Sequence, residues 1–301
     1  MRISNNMLSR NLLLNLQAAQ GRLDKLQNQM SSGQKINRPS DDPVGTENSL
    51  RFKSSIMHVN QWKANAKEGI AYLDTTDDTL GEMTEMLQRA KELALRASNT
   101  GTVNDDDRKK IATEIDQIRE HIIELANTKV GTKYIFGGTA NVEPFPKGET
   151  EWQGSNDIMK FQVGSTLSIE VSANGQELFG VDGTDKSKVA MFDTLAELSA
   201  ALNESDLDVE NGLQSLLGKL DEQADHISDV RAQLGARQNR MDSVYAQLDS
   251  TSANLSDSLA NVLFVDIAET LIDYKTQDSI YQAALSVGTK IIQPSLADFL
   301  R

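Results

Sequence analysis

Between Leu8 and Met30 the apolar positions are Leu8, Leu12, Leu16, Ala19, Leu23, Leu26 and Met30, spaced by fours and threes. That rhythm draws a narrow apolar stripe along a helix, with Arg22, Asp24, Lys25, Gln27 and Gln29 turned away from it. A helix of this length, about 30 Å at the standard rise, cannot bury such a stripe alone. A matching stripe lies near the other end of the chain, at Ile267, Leu271, Tyr274, Tyr281, Leu285 and Ile292, with Asp278 and Gly288 as its weak places. The pattern predicts that the two ends pair, and that these residues are contacts of a larger assembly. Two single helices bury little, so the ends are expected to order fully only on docking against neighbours.

After Met30 the period stops. Gly33 suits the left-handed position that closes a helix, and Asp42 followed by Pro43 suits the start of the next. Residues 33–42, with Ile36, Asn37 and Asp41 among them, therefore read as an extended connector whose geometry depends on Gly33, Asp42 and Pro43. A heptad pattern then runs from about 44 to 98 through Phe52, Val59, Ala66, Leu73, Leu80, Leu87 and Ala94. Unbroken, it would span about 80 Å, the length of a rod. Asn104-Asp105-Asp106-Asp107 opens a further helix with the stripe Ile111, Ile115, Ile118, Ile122 and Leu125, expected antiparallel to the long one.

From Gly131 glycines and aromatics become frequent. Phe161 and Val163, then Leu167, Ile169 and Val171, alternate ahead of an expected turn at Asn174-Gly175. Helical periodicity returns at 192–202 and again from about 209 to 262. The run Val262-Leu263-Phe264-Val265 breaks it and marks a C-terminal counterpart of the 33–42 connector. The expected fold is mainly α: an elongated rod of long helices and a terminal coiled coil, with a small β-rich insertion. The expected domains are 1–42 with 264–301 as paired terminal helices forming an inner assembly domain, 43–142 with 188–263 as a helical bundle, and 143–187 as the β-rich outer domain.

The net charge of −14 removes nucleic acid from the partners, because phosphate binding needs a basic face. The chain has no cysteine, so disulfides, thiolate metal sites and cysteine nucleophiles are excluded. No apolar run is long enough to span a membrane. His58, His121 and His226 have no second ligand at helical spacing, and Asp105-Asp106-Asp107 is explained as a capped helix start. No catalytic, cofactor or metal residues are assigned, and the chain is not expected to be an enzyme.

Ser31-Ser32-Gly33-Gln34-Lys35-Ile36-Asn37 followed by Ser40-Asp41-Asp42 resembles the N-terminal signature of bacterial flagellins, and Met1-Arg2-Ile3-Ser4 is similar to their opening. Within that superfamily, Asn37-Arg38-Pro39-Ser40-Asp41-Asp42-Pro43 looks like the hook-associated protein 3 branch. True flagellins usually carry Ala in place of Pro43. Tyr134-Ile135-Phe136-Gly137-Gly138, Tyr281-Gln282-Ala283-Ala284-Leu285 and Ser295-Leu296-Ala297-Asp298-Phe299-Leu300 are similar to that branch too.

The resemblance implies a secreted structural component of the bacterial flagellum, exported without cleavage through the flagellar type III channel. Its copies would form a ring joining hook to filament, with termini lining the inner tube and the insertion facing outward. Implied partners are hook-associated protein 1, flagellin, further copies of the chain and a flagellar export chaperone covering the C-terminal stripe. A minor flagellin and a cytosolic coiled-coil scaffold are the alternatives.

Overall fold

The computed structural model describes residues 5–98, 104–146, 151–181, 183, 185–204 and 212–292, apart from the side chains of 5, 6, 8 and 290–292. Its helices are α1 (Asn5–Ser32), α2 (Pro43–Ala97), α3 (Asp105–Ala126), α4 (Gly175–Phe179), α5 (Ala190–Asn203), α6 (Gln214–Leu263) and α7 (Ile267–Ile292). Strands β1 (Lys129–Val130) and β2 (Lys133–Tyr134) form one antiparallel pair, β3 (Lys160–Gln162) and β4 (Ser168–Glu170) another. By packing, the chain divides into a terminal unit, 1–59 with 250–301, and a central unit, 60–249.

The central unit is built on the heptads read from the sequence. On α2, Ala66, Leu73, Leu80, Leu87 and Ala94 are buried at every seventh position, and Thr76, Met83, Ala90 and Ala97 fill the positions between. On α6, Leu220, Ile227, Leu234 and Met241 repeat the same interval. A strict seven-residue repeat keeps one face of each helix on its neighbour, the geometry of left-handed supercoiling. Thr76 sits in this seam without cost, because its hydroxyl donates to the Tyr72 carbonyl at 2.7 Å.

Polar pairs along the rim fix the antiparallel register of α2 and α6. Lys63 meets Asp249, Asp74 accepts from Gln238, and Lys91 meets Asp221. Arg231 grips Asp77 through two hydrogen bonds of 2.9 and 3.1 Å. Exposed pairs of this kind each contribute about 0–1 kcal/mol, so they choose the alignment more than they supply the stability.

Helix α3 runs back along α2, with Arg89 on Glu114 at 2.9 Å and His121 beside Glu82 at 3.2 Å. The expected Ile111, Ile115, Ile118 and Ile122 are buried. The side chain of Asn104 accepts from the Asp107 amide, and three aspartates stand in the first turn at the positive end of the helix dipole. Asn104→Ala is expected to lower stability by about 1 kcal/mol, read as an earlier urea midpoint in far-UV circular dichroism. Helix α5 packs closely on α3, where the Ser199 hydroxyl donates to Asp116 at 2.9 Å and to the Ala112 carbonyl at 3.3 Å.

Segment 143–187, read as a β-rich insertion too small to be very stable alone, shares the core of the helices. Phe145, Trp152 and Phe179 join Phe136 and Phe192 of α5 in one aromatic cluster, continuous with the helical core and with ring centroids 4.8–6.3 Å apart. Its regular strand content among the described residues is β3 and β4. They pair Phe161 with Ile169, and the Val163 amide donates to the Leu167 carbonyl to close the hairpin. Asn174 makes no hairpin turn; its side chain accepts from the Gln176 amide and caps α4. Gly175 is required there because a Cβ would lie 2.2 Å from the Trp152 ring.

Side chains tie this segment, and the stretch just before it, to the helices. Asn127, at the end of α3, takes the Phe145 amide on its carbonyl oxygen and gives its own N–H to the Phe145 carbonyl. The Tyr72 hydroxyl donates to the Ile135 carbonyl at 2.7 Å, and burial pushes that phenol well above its ordinary pKa.

The boundaries of the terminal unit also differ from the expected 42/43 and 263/264. The change in packing falls at 59/60 and 249/250, inside α2 and α6, where no turn signal marks it, whereas 42/43 and 263/264 are the ends of those helices.

Candidate assembly interface

In the terminal unit α1 packs against α7. The pair is antiparallel: Leu12, near the start of α1, meets Gly288, near the end of α7, while the connectors at the other end are bridged at Gln34 and Phe264. That bridge is made by backbone. The Lys35 amide donates to the Leu263 carbonyl at 2.7 Å and the Val265 amide to the Gly33 carbonyl at 3.2 Å. The two breaks in helical period thus lie side by side.

The first connector is held by its own polar residues. Gly33 takes φ +68°, the left-handed conformation that ends α1, and its amide donates to the Gln29 carbonyl at 2.8 Å. The Asp41 carboxylate accepts from the amides of Arg38 at 2.9 Å and Asn37 at 3.3 Å, closing a loop around Pro39 and Ser40. Asp42 accepts from the Gly45 amide at 2.9 Å, and Pro43 is the first residue of α2, where its missing N–H leaves no gap. Ile36 is buried against Gly45, whose Cβ would lie 2.5 Å from the Ile36 side chain.

On α1 the covered face is Leu12, Leu16, Ala19, Leu23, Leu26 and Met30, the stripe read from the sequence. On α7 the covered positions are Thr270, Tyr274, Gln277, Tyr281, Ala284 and Gly288, again spaced by fours and threes. Of the residues assigned to the α7 stripe, Tyr274 and Tyr281 are half-buried on this face, whereas Ile267, Leu271 and Leu285 stand exposed. The side chains of Leu8 and Ile292 lie outside the described residues.

Ile267, Leu271 and Leu285 lie off the face that meets α1 because this helix is apolar on several sides. At about 100° per residue, Ile267, Leu271 and Leu285 line one flank of the covered face, Ile280 and Val287 the other, and Ile272 lies on the far side. Ile272 is 66% exposed and Leu14 of α1 is 61% exposed. Met7 and Leu13 of α1, Val44, Leu50 and Met57 at the start of α2, and Phe264 are exposed as well. Among the described residues, the exposed large apolar side chains of the central unit are Leu95 and Val142. A helix that leaves large apolar side chains exposed on several sides of its covered face is a candidate interaction site. The missed residues had a signal: the run Leu12-Leu13-Leu14 and the dense apolar content of α7 cannot fit one face.

The described residues include no group of His, Cys, Asp and Glu arranged to hold a metal ion, and no described helix is long and apolar enough to cross a membrane. A polar groove of about 530 Å³ runs between α1 and the first connector, lined by Asp24, Lys25, Asn28, Arg38 and Asp41 among others. A second hollow, of about 420 Å³, lies between α4, α5 and α6 beside His226, which is 3.2 Å from the Glu177 carbonyl oxygen.

Comparison with known proteins bears on the terminal pair directly. Residues 3–141 match the bacterial flagellin N-terminal helical region and residues 217–300 the bacterial flagellin C-terminal helical region. The chain is similar to the flagellin of Bacillus subtilis (strain 168), 28% identical over 292 residues and 94% of each chain. It is similar also to flagellar hook-associated protein 3 of Escherichia coli K12, 26% identical over 306 residues and 96% of each chain. Among solved structures, Bacillus cereus FlgL is 25% identical, with a TM-score of 0.58 over 70% of this chain and 99% of that one. The flagellar hook-associated protein-3 of Legionella pneumophila, 15% identical, shares the fold with a TM-score of 0.61 over 71% of this chain and 98% of its own. The regions that flagellins keep at their two ends are the ones that carry α1 and α7 here, and this chain belongs to the bacterial flagellin family, as a structural protein of the flagellum.

Proposed function

We propose that this chain is the hook–filament junction protein of the hook-associated protein 3 branch. Its copies form a ring that contacts hook-associated protein 1 on the hook side and flagellin on the filament side. The reading rests on α7, a helix with one face covered by α1 and large apolar side chains exposed on both flanks and at Ile272, which asks for neighbours there. Assignment to the junction branch is supported by Pro43 as the first residue of α2, in the motif Asn37 to Pro43, and by likeness to the Bacillus cereus FlgL fold at 25% identity. The chain is secreted through the flagellar export route, and an export chaperone covers the exposed face of α7 beforehand.

Deleting the gene tests this. Cells are expected to keep hooks but carry no filaments, and to release unpolymerised flagellin into the medium. Filaments of normal length on the deletion strain would refute the junction role. Long filaments grown from the purified chain alone would instead favour a flagellin role, the reading to which the Bacillus subtilis relative belongs.

A further inference from the structure

Two hollows follow one another along α6 at the interval of a heptad. Glu222, Gln223 and His226 edge the hollow between α4, α5 and α6, and Asp229, Val230 and Gln233 edge the next, a cavity of about 240 Å³. Seven residues of helix advance about 10.5 Å, so the two hollows share that spacing. Each has an apolar lining: Leu178, Phe179 and Ala190 in the first, Ile158, Ala173 and Leu234 in the second. The rim of the first is acidic. Asp193 and Glu222 are exposed there, while Glu197 is engaged by Lys219 at 3.1 Å. Arg237, at the far end of the second, meets the Ser172 carbonyl at 3.1 Å and Glu170 at 3.4 Å.

The start of α2 has the complementary form. Leu50 and Met57 are both exposed and stand one heptad apart, so they project from the same side of the helix. Arg51 and Lys53, also exposed, flank Leu50 at about 100° on one side and about 60° on the other. In a chain with a net charge of −14 this stretch is basic, because Glu47 is the one carboxylate between Pro43 and Asn60.

We propose that in the assembly the start of α2 of one copy docks on the two hollows of a second copy, Leu50 entering the first and Met57 the second. Charge sets the direction. With Arg51 and Lys53 beside it, Leu50 takes the hollow with the acidic rim, and the docked α2 runs parallel to α6. In the reverse orientation the two cations would face Arg237. This contact rests on the assembly reading above and gives it a surface in the central unit.

The chain has no cysteine, so introduced thiols are the only ones it carries. Full-length Leu50→Cys and Ala190→Cys chains, one of them tagged, are produced together in cells, and the purified flagella are treated with a short bis-maleimide. The mixed pair is expected to give a cross-linked dimer about tenfold above a control pair of Leu50→Cys with Lys67→Cys. Lys67 is exposed and lies about 30 Å from the first hollow by the α2–α6 register. Adding Lys53→Glu to the Leu50→Cys chain is expected to cut the yield about tenfold, and Glu222→Lys in its partner to restore it. Ser54→Cys, on the same side of α2, replaces Leu50→Cys if that chain does not assemble. Flagella that contain both variants yet cross-link no more than the control overturn the proposal and leave the assembly reading standing. A stronger cross-link from Met57→Cys than from Leu50→Cys overturns it too, because the charge argument then points the wrong way. Absence of the wild-type chain from purified flagella overturns the assembly reading, and the docking with it.

Discussion

Ile272→Asp is expected to leave the free chain folded and to abolish filament-bearing flagella. The side chain is two-thirds exposed on the far side of α7 from α1, so a carboxylate there is hydrated in the free chain. Substitutions at such sites usually change stability by about 0.5 kcal/mol or less. Inside an assembly the same carboxylate would be buried among apolar side chains without a partner, at a cost of several kcal/mol per copy. The asymmetry is the point: the penalty exists only where the neighbour exists. The measurements are the thermal midpoint of the purified variant, expected to be unchanged, and electron microscopy with a motility assay of complemented cells, expected to show bare hooks and no swimming. Swimming at the wild-type rate would remove α7 from the interface. Leu23→Asp strikes the covered face of α1 instead, and is expected to loosen α1 from α7 in the monomer as well as to remove filaments.

Phe145→Ala is expected to cost about 3–5 kcal/mol, the largest stability loss of any substitution considered for this chain. Phe145 is fully buried and makes edge-on contacts with Trp152, Phe179 and Phe192, with centroids 5.4, 5.2 and 4.8 Å away. Its backbone is fixed by Asn127 on both the amide and the carbonyl, so the segment cannot simply slide inward to fill the space. A domain of ordinary stability has about 5–15 kcal/mol in total, so the loss is a large share. Urea unfolding followed by tryptophan fluorescence checks it: the midpoint is expected to fall with the slope preserved. A change of under 1 kcal/mol would mean that the aromatic cluster is not a stabilising core.

Much of the helical architecture was legible because α2, α3 and α6 have one apolar face each, and a period of seven identifies a single face without ambiguity. The caps were legible for a similar reason: Asn104, Gly33 and the Asp42-Pro43 pair are residue types with few alternative uses at those places. Helix α7 was harder. Ile267, Leu271, Ile272, Ile280, Leu285 and Val287 are distributed around it, so hydrophobicity alone could not say which flank met α1. The deciding residues were Thr270, Gln277 and Gly288, polar or small. Segment 143–187 draws its aromatic partners Phe136 and Phe192 from before and after it in the chain, a grouping that no local pattern announces. Asn174-Gly175 also shows one dipeptide serving two ends, because an Asn that suits a hairpin turn suits a helix cap equally well.

The clasp between the two connectors involves main-chain atoms alone, from Lys35 to Leu263 and from Val265 to Gly33. A joint made this way does not read side chains. Lys35 and Val265 can therefore drift in identity over evolutionary time while the joint stays shut, provided neither becomes the one residue that lacks an amide hydrogen, whereas Gly33 stays tied to its left-handed backbone.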